Sequence, residues 1–275
     1  MVARPSDAMA DGSSGTGITG SSSGTGITGH ATGRDEAHDE TLAATYAQHF
    51  YEPPPGAAQI LLIRHGQSAP YRPDRPFDLV DGHGDPHLTE LGHHQARLVA
   101  ERLSDEPISA IYVSSLTRTH QTAAPLAERL GLTPIVEPDL REVFLGEGEG
   151  GRFREMAANG HPAAIAMRAE AEWGEIPGAE TNRQLTERTV GAVRRMVAAH
   201  PEDGLVAAFC HGGVIAAVVG YAMGVGAMAF TGARHTSISH LVVEPPGDDP
   251  AQWTLRLFND GSHAGRLTGD HRPPG

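Results

Sequence analysis

The nine residues "ILLIRHGQS", Ile60 to Ser68, decide how the rest of the chain is read. Four aliphatic residues in a row make a strand buried on both faces, the kind a parallel sheet requires. The run stops abruptly at Arg64, His65 and Gly66, so its end brings two nitrogen-rich side chains and a residue without Cβ to one place. The chain holds 16 histidines, and only company from elsewhere in the fold can single out His65.

That company is sought in the alternation of strands and helices along the chain. After the strand at 59–63, "LTELGHHQARLVAERL" (88–103) reads as a helix with Thr89 as N-cap. "AIYVS" (110–114) is the next strand, and "TRTHQTAAPLAERLG" (117–131) a helix closed by Gly131. A short strand at 133–137 comes before "LREVFLGEGEGG" (140–151), and a polar, weakly helical insert runs to about Gly178. A long helix (181–199), a strand (205–210), a helix from Gly212 and strands near 237–243 and 253–258 complete the pattern. The expected fold class is α/β, a three-layer α/β/α sandwich with a mostly parallel central sheet. In such sheets ligands bind beyond the carboxyl ends of the strands. Arg64-His65-Gly66, Arg118 and His211-Gly212-Gly213 each follow a strand, so one sheet edge receives two arginines and two histidines.

Length and composition bound the rest. One catalytic domain over 46–265 fits 275 residues. Residues 1–45 are rich in Gly, Ser and Thr, repeat "SSGTGITG" at 13–20 and 22–29, and read as a disordered tail, as do 266–275. A formal charge of -13 repels polyanions, which argues against nucleic acid and anionic membranes as partners. All 21 basic residues are arginines. With no lysine, neither a P-loop nor Schiff-base chemistry can operate. Cys210 is the one cysteine, so an intrachain disulfide is excluded and a cytoplasmic location is expected. The N-terminus shows no apolar signal segment. The uncharged stretch from Gly212 to Phe230 reads as a buried core helix in preference to a membrane span.

Two guanidiniums and an imidazole can envelop a tetrahedral dianion, because an arginine fork matches two phosphoryl oxygens. Glycines after His65 and His211 let backbone amides approach, and Gln67 and Ser68 are secondary phosphate-binding candidates. Arginines can stand where other enzymes place magnesium, and a neutral imidazole can serve as the nucleophile.

The ordered motifs "LIRHGQS", "LTELGHHQA", "SSLTRTHQTA", "LREVFLGEGEG", "GAE" and "CHGG" resemble the histidine phosphatase superfamily, the phosphoglycerate mutase-like proteins, over roughly residues 58–260. The resemblance implies that His65 attacks phosphorus and is transiently phosphorylated. It implies that Arg64, Arg118 and His211 bind the phosphoryl oxygens and that Glu142 protonates the leaving oxygen. The expected activity is that of a metal-independent phosphomonoester hydrolase with no cofactor and a small-molecule substrate. A departing alkoxide does need an acid, and the same carboxylate can then take a proton from the water that breaks the phosphohistidine.

Two positions depart from the family pattern: Gly148 stands where a tryptophan is frequent, and no asparagine follows the "RHG" motif closely. Hydrolysis is expected over mutase chemistry, since the apolar and acidic "VFLGEGEGG" offers no further positive charge for a phosphoglycerate carboxylate. The insert, about 150–178, is expected to form a substrate-selecting lid. Two rivals belong to other classes. One is a metal-dependent hydrolase built on Asp81, His83, Asp85 and His87; the other is a non-catalytic phosphoryl-binding module.

Overall fold

A computed structural model describes residues 50–200 and 204–265; the expected tails, 1–45 and 266–275, lie outside them. In chain order the main elements are β1 (Ala58–Arg64), β2 (Leu79–Val80), β3 (His83–Gly84), α1 (Glu90–Leu103), β4 (Ile108–Val113), α2 (Thr117–Leu130) and β5 (Ile135–Val136). There follow α3 (Arg152–Ala158), α4 (Pro162–Glu170), α5 (Asn182–Ala199), β6 (Leu205–Cys210), α6 (Gly212–Ala222), β7 (Ile238–Val243) and β8 (Trp253–Asp260). Six strands form one sheet in the order β5-β4-β6-β1-β7-β8, and β2 pairs with β3 in a separate hairpin that the sequence did not disclose. The four strands from β5 to β1 are parallel, and β7 and β8 run antiparallel at one edge.

The three central strands show why the layers form. Side chains alternate along a strand. Ile60 and Leu62, Ala110 and Tyr112, and Val206 and Ala208 face one layer, where they pack with Val193 and Met196 of α5 and Ile215 and Val218 of α6. Leu61 and Ile63, Ile111 and Val113, and Ala207 and Phe209 face the other, against Val99 and Leu103 of α1 and Leu126 of α2. Both faces are dry, which is why these strands read as unbroken apolar runs. The expected three-layer α/β/α sandwich with a mostly parallel sheet is the observed architecture.

Helix ends follow the local chemistry. Thr89 caps α1 by accepting the Gly92 N–H, Thr181 and Gln184 form a reciprocal capping box on α5, and Gly131 ends α2 in the left-handed region. The apolar run from Gly212 is the exception. Helix α6 stops at Ala222, short of the expected Phe230, because the chain turns back at Gly224 (φ +65°) and a Cβ on Gly220 would lie 2.8 Å from the Gly226 carbonyl oxygen. Among the described residues no helix is long and apolar enough to cross a membrane.

Candidate active site

The parallel register places three strand ends side by side. In the pairing of β1 with β6, Arg64 stands opposite Cys210, and the His65 N–H donates to the Cys210 carbonyl. On the far side of β6 the Ser114 N–H donates to Phe209 O. His211, the residue after β6, therefore sits between His65 and Ser114. Its ring centroid is 5.1 Å from that of His65, and its Nε2 is 2.9 Å from Ser114 Oγ.

Both imidazoles are buried, and both titrate well below the ordinary histidine value, chiefly because burial disfavours the charged ring and secondarily because Arg118 lies near. His65 is thus uncharged at neutral pH. Its Nδ1 lies 2.7 Å from Gly66 O, a carbonyl that can only accept, so Nδ1 carries the proton and Nε2 keeps the lone pair. His211 Nδ1 is buried with no hydrogen-bond partner among the described residues.

Arg64 and Arg118 reach the same cavity from different elements. Arg64 is the last residue of β1 and donates through Nη1 to Ala233 O, while its buried Nε has no partner among the described residues. Its backbone is clamped by the Thr236 N–H and by Ser237 O, which brings the segment ahead of β7 against it. Arg118 lies in the first turn of α2. That helix lacks a cap of its own, and Asp85 supplies one, accepting from Thr117 N at 2.9 Å and Thr117 Oγ1 at 2.6 Å while it stands 3.7 Å from the Arg118 guanidinium. Arg118 also donates to Gly84 O. Burial pushes Arg118 down to about 10, still cationic at neutral pH.

Glu142 enters from the loop after β5. Its Oε1 accepts the Val143 N–H at 3.0 Å and the Gly213 N–H, in the first turn of α6, at 2.9 Å. Both bonds fall on one oxygen, and Oε2 has none among the described residues. The loop is held from behind by Arg188, which donates to the carbonyls of Asp139, Arg141 and Glu142 and pairs with Glu180 at 2.7 Å. Arg188 was not marked by the sequence reading, since a helical arginine with nearby acids looks like any solvated one.

A cavity of about 250 Å³ is lined by His65, Arg64, Arg118, Glu142 and Ser68, with Phe77, Phe153 and Trp173 as its apolar wall. Gly66 and Gln67 contribute differently. The Gly66 N–H donates to Thr122 Oγ1, and a Cβ at Gly66 would lie 2.6 Å from Gly92 O, so glycine is needed there for the close approach of α1. Gln67 donates its N–H to Gln95 Oε1, and its side-chain Oε1 accepts from the Thr89 hydroxyl.

The side chains of the acidic and histidine loop take separate partners. Asp81 points outward to Arg141, Asp85 caps α2, and His87 pairs with Gln121. His83 bonds the Asp81 carbonyl and lies edge-on to Phe144. No group of three or more potential ligands is assembled among the described residues. Glu149, which the sequence left in an acidic run, accepts from Gly84 N and Leu145 N and so ties the β2–β3 hairpin to the loop of Glu142.

Two residues in the cavity escaped the sequence reading. His235, ahead of β7, has its ring centroid 6.1 Å from that of His65. Arg154 of α3 comes from the insert, donating to Ala69 O at 2.6 Å and to Ser68 Oγ at 3.0 Å, with its guanidinium over the Phe77 ring.

An uncharged imidazole between guanidiniums, with a carboxyl group on the same cavity, thus lies at the carboxyl ends of the parallel strands of a phosphoglycerate mutase-like fold. The chain belongs to the histidine phosphatase superfamily (branch 1), whose family model matches residues 60–261. It is 34% identical to the glucosyl-3-phosphoglycerate phosphatase of Mycobacterium tuberculosis over 59% of this chain and 74% of that protein. With phosphoglycerate mutase-like protein 4 of Arabidopsis thaliana it shares 32% identity over 75% of this chain and 86% of that one. The native structure of the mycobacterial glucosyl-3-phosphoglycerate phosphatase superposes with a TM-score of 0.61 at 29% identity, covering 74% of this chain and 99% of that one. A phosphoglycerate mutase from Bacillus anthracis, at 19% identity and a TM-score of 0.62 over 76% of this chain and 96% of that one, shares the fold.

Proposed function

We propose that the protein hydrolyses phosphomonoesters through a covalent phosphohistidine on His65. The observation that carries this reading is the fixed tautomer of His65: with its Nδ1 proton committed to Gly66 O, Nε2 offers a lone pair beside Arg64 and Arg118. In the first step Nε2 attacks phosphorus as the P–O bond to the leaving group breaks, and Glu142 gives its proton to that departing oxygen. Arg64 and Arg118 neutralise the phosphoryl oxygens, and His211 adds a hydrogen bond. In the second step Glu142 takes a proton from water, whose oxygen attacks phosphorus and frees His65. Inorganic phosphate and the alcohol are the products, and no metal is required.

Ser68 faces the cavity and can donate to a phosphoryl oxygen; Gly66 and Gln67 act by holding the loop in place. The insert, about 150–178, acts as a substrate-selecting lid, since Phe153, Arg154 and Trp173 all reach the cavity from it. A phosphatase among the relatives supports hydrolysis, and a mutase-like relative keeps phosphoryl transfer to a second hydroxyl as the competing outcome.

The test is a screen of phosphorylated metabolites with EDTA present, beside His65→Ala. Turnover that survives chelation and vanishes in the variant is the expected result. Loss on chelation with recovery on adding metal, 2,3-bisphosphoglycerate-dependent mutase turnover far above hydrolysis, or phosphate binding without any turnover would each replace this reading.

A further inference from the structure

Arg188 of α5 commits every donor it has to the loop that carries Glu142 and to the partner that shares the loop. Its Nη1 donates to Asp139 O at 2.7 Å and Arg141 O at 2.8 Å, its Nη2 to Glu142 O at 3.0 Å and Glu180 Oε2 at 2.8 Å, and its Nε to Glu180 Oε1 at 2.7 Å. A guanidinium has no N–H beyond these. Glu180 holds the loop past Glu142: its Oε2 accepts the Phe144 N–H at 3.2 Å, and its own N–H donates to Phe144 O at 2.9 Å. The pair thus grips the backbone at positions 139, 141, 142 and 144, on both sides of Glu142.

Stability alone is a poor reason for such a pair. The two side chains are 20% and 12% exposed, and the cost of taking both charges out of water offsets most of their attraction, so that well-packed apolar residues often serve as well. What the pair does is aim peptide groups. Residues 142–145 belong to no helix or strand, so no backbone ladder sets their direction. With the Glu142 carbonyl turned to Arg188, the Glu142 side chain reaches Gly213 N and the cavity. A general acid works only within hydrogen-bond reach of the departing oxygen, and a displacement of about 1 Å costs on the order of a hundred-fold in rate. Arg195, about two helical turns along the same face of α5, provides the contrast. It ties Glu137 and Asp139 to the helix at 2.8 and 2.7 Å, is half-exposed, and holds the same loop upstream of Glu142.

We propose that the Glu180–Arg188 pair positions the proton donor. Neither residue is among those lining the cavity, and both act on the reaction through Glu142. The proposal rests on the phosphatase reading, in which Glu142 protonates the leaving oxygen, and adds two positioning residues to it. The demand is one of geometry: lysine keeps the charge of Arg188 without its planar fork, and glutamine keeps the shape of Glu180 with one acceptor oxygen fewer.

The experiment compares full-length wild type, Arg188→Lys, Glu180→Gln and Arg195→Gln in three readouts. These are kcat on p-nitrophenyl phosphate and on the alkyl phosphate that the wild type hydrolyses fastest, the inhibition constant of vanadate, and amide exchange at Val143 and Gly213 followed by NMR. In Arg188→Lys and Glu180→Gln, kcat on the alkyl phosphate should fall about ten-fold or more, while p-nitrophenyl phosphate turnover and vanadate inhibition change less than about three-fold. Both amides, which donate to Glu142 Oε1, should exchange faster in these two variants, and Arg195→Gln should match the wild type throughout. In a Glu142→Gln background Arg188→Lys should take nothing further from the alkyl phosphate rate, because residues that act as a unit are not additive. Equal losses on both substrates, a full additional loss in the Glu142→Gln background, or the same pattern in Arg195→Gln would make the pair a structural staple and overturn the proposal. Circular dichroism and Tm identify a variant that does not fold; if Arg188→Lys is one, the isosteric Glu180→Gln carries the same comparisons. Faster exchange at Val143 and Gly213 in a protein that turns over no phosphomonoester would uphold the placing of Glu142 and sink the phosphatase reading. Turnover lost equally on both substrates, with both amides unaltered, would do the reverse.

Discussion

Glu142 Oε1 accepts the Gly213 N–H at 2.9 Å, and a Cβ on Gly213 would stand 2.5 Å from that same oxygen. The carboxyl group is therefore placed by the absence of a side chain on α6. Gly213→Ala should favour the helix itself, since alanine outranks glycine by about 1 kcal/mol in helix propensity, and yet displace Glu142. We expect kcat on alkyl phosphates to fall by on the order of ten- to a hundred-fold, with p-nitrophenyl phosphate, whose leaving group hardly needs an acid, affected far less. Glu142→Gln should show the same split. Equal losses on both substrates in either variant would remove the acid role from Glu142.

Ser114 decides what His211 can do. Ser114 Oγ lies 2.9 Å from His211 Nε2 and 3.1 Å from Thr119 Oγ1; when the serine gives its proton to Nε2, Nδ1 carries the ring proton and can donate to a phosphoryl oxygen. Ser114→Ala should raise the inhibition constant for vanadate or phosphate by about five- to ten-fold and lower kcat, with Tm reduced by a few degrees. Ser114→Thr, which keeps the hydroxyl, should recover part of the loss. Unaltered anion inhibition in Ser114→Ala would show that the hydroxyl does not set the ring.

Acid should destabilise the ligand-free protein through its site. Burial holds His65 and His211 well below the ordinary value in the folded state. Stability from a group whose folded pKa is depressed is complete above the unfolded value, about 6.5, and is lost as pH falls towards the folded value. Over that interval each histidine contributes a slope of ~1.4 kcal/mol per pH unit. Urea midpoints between pH 7.5 and 5.5 should thus fall more steeply for the wild type than for His65→Gln. Identical slopes would mean that His65 is not buried as a neutral ring.

The core of the fold was legible for one physical reason: strands buried on both faces are written as unbroken apolar runs, and the chemistry follows them directly. "ILLI", "AIYV" and "LVAAFC" identified β1, β4 and β6, and the residues after them are His65, the Ser114-to-Arg118 segment and His211. What was not legible lacks such a local marker. His235 reaches the site because β7 folds back antiparallel against β1, a pairing that no short stretch encodes. Arg154 is one arginine in a polar insert, and its place at the cavity depends on contacts with Phe77 and Ser68, far away in the sequence. The spacing of Asp81, His83, Asp85 and His87 likewise carries no local mark of where each side chain points. Alternate residues of a turning loop point to different partners, and Asp85 serves α2 and Arg118 instead.

The central claim is that His65 Nε2 carries the phosphoryl group in turnover. The direct measurement is rapid acid-free quenching of the wild-type protein during turnover of a phosphomonoester, followed by peptide mass spectrometry on the segment spanning Ile60 to Ser68. An adduct of one phosphoryl group on His65, stable in alkali, labile in acid and absent from His65→Ala, is the result expected. Turnover with an unmodified His65, or with an acid-stable adduct on another residue, would contradict the account.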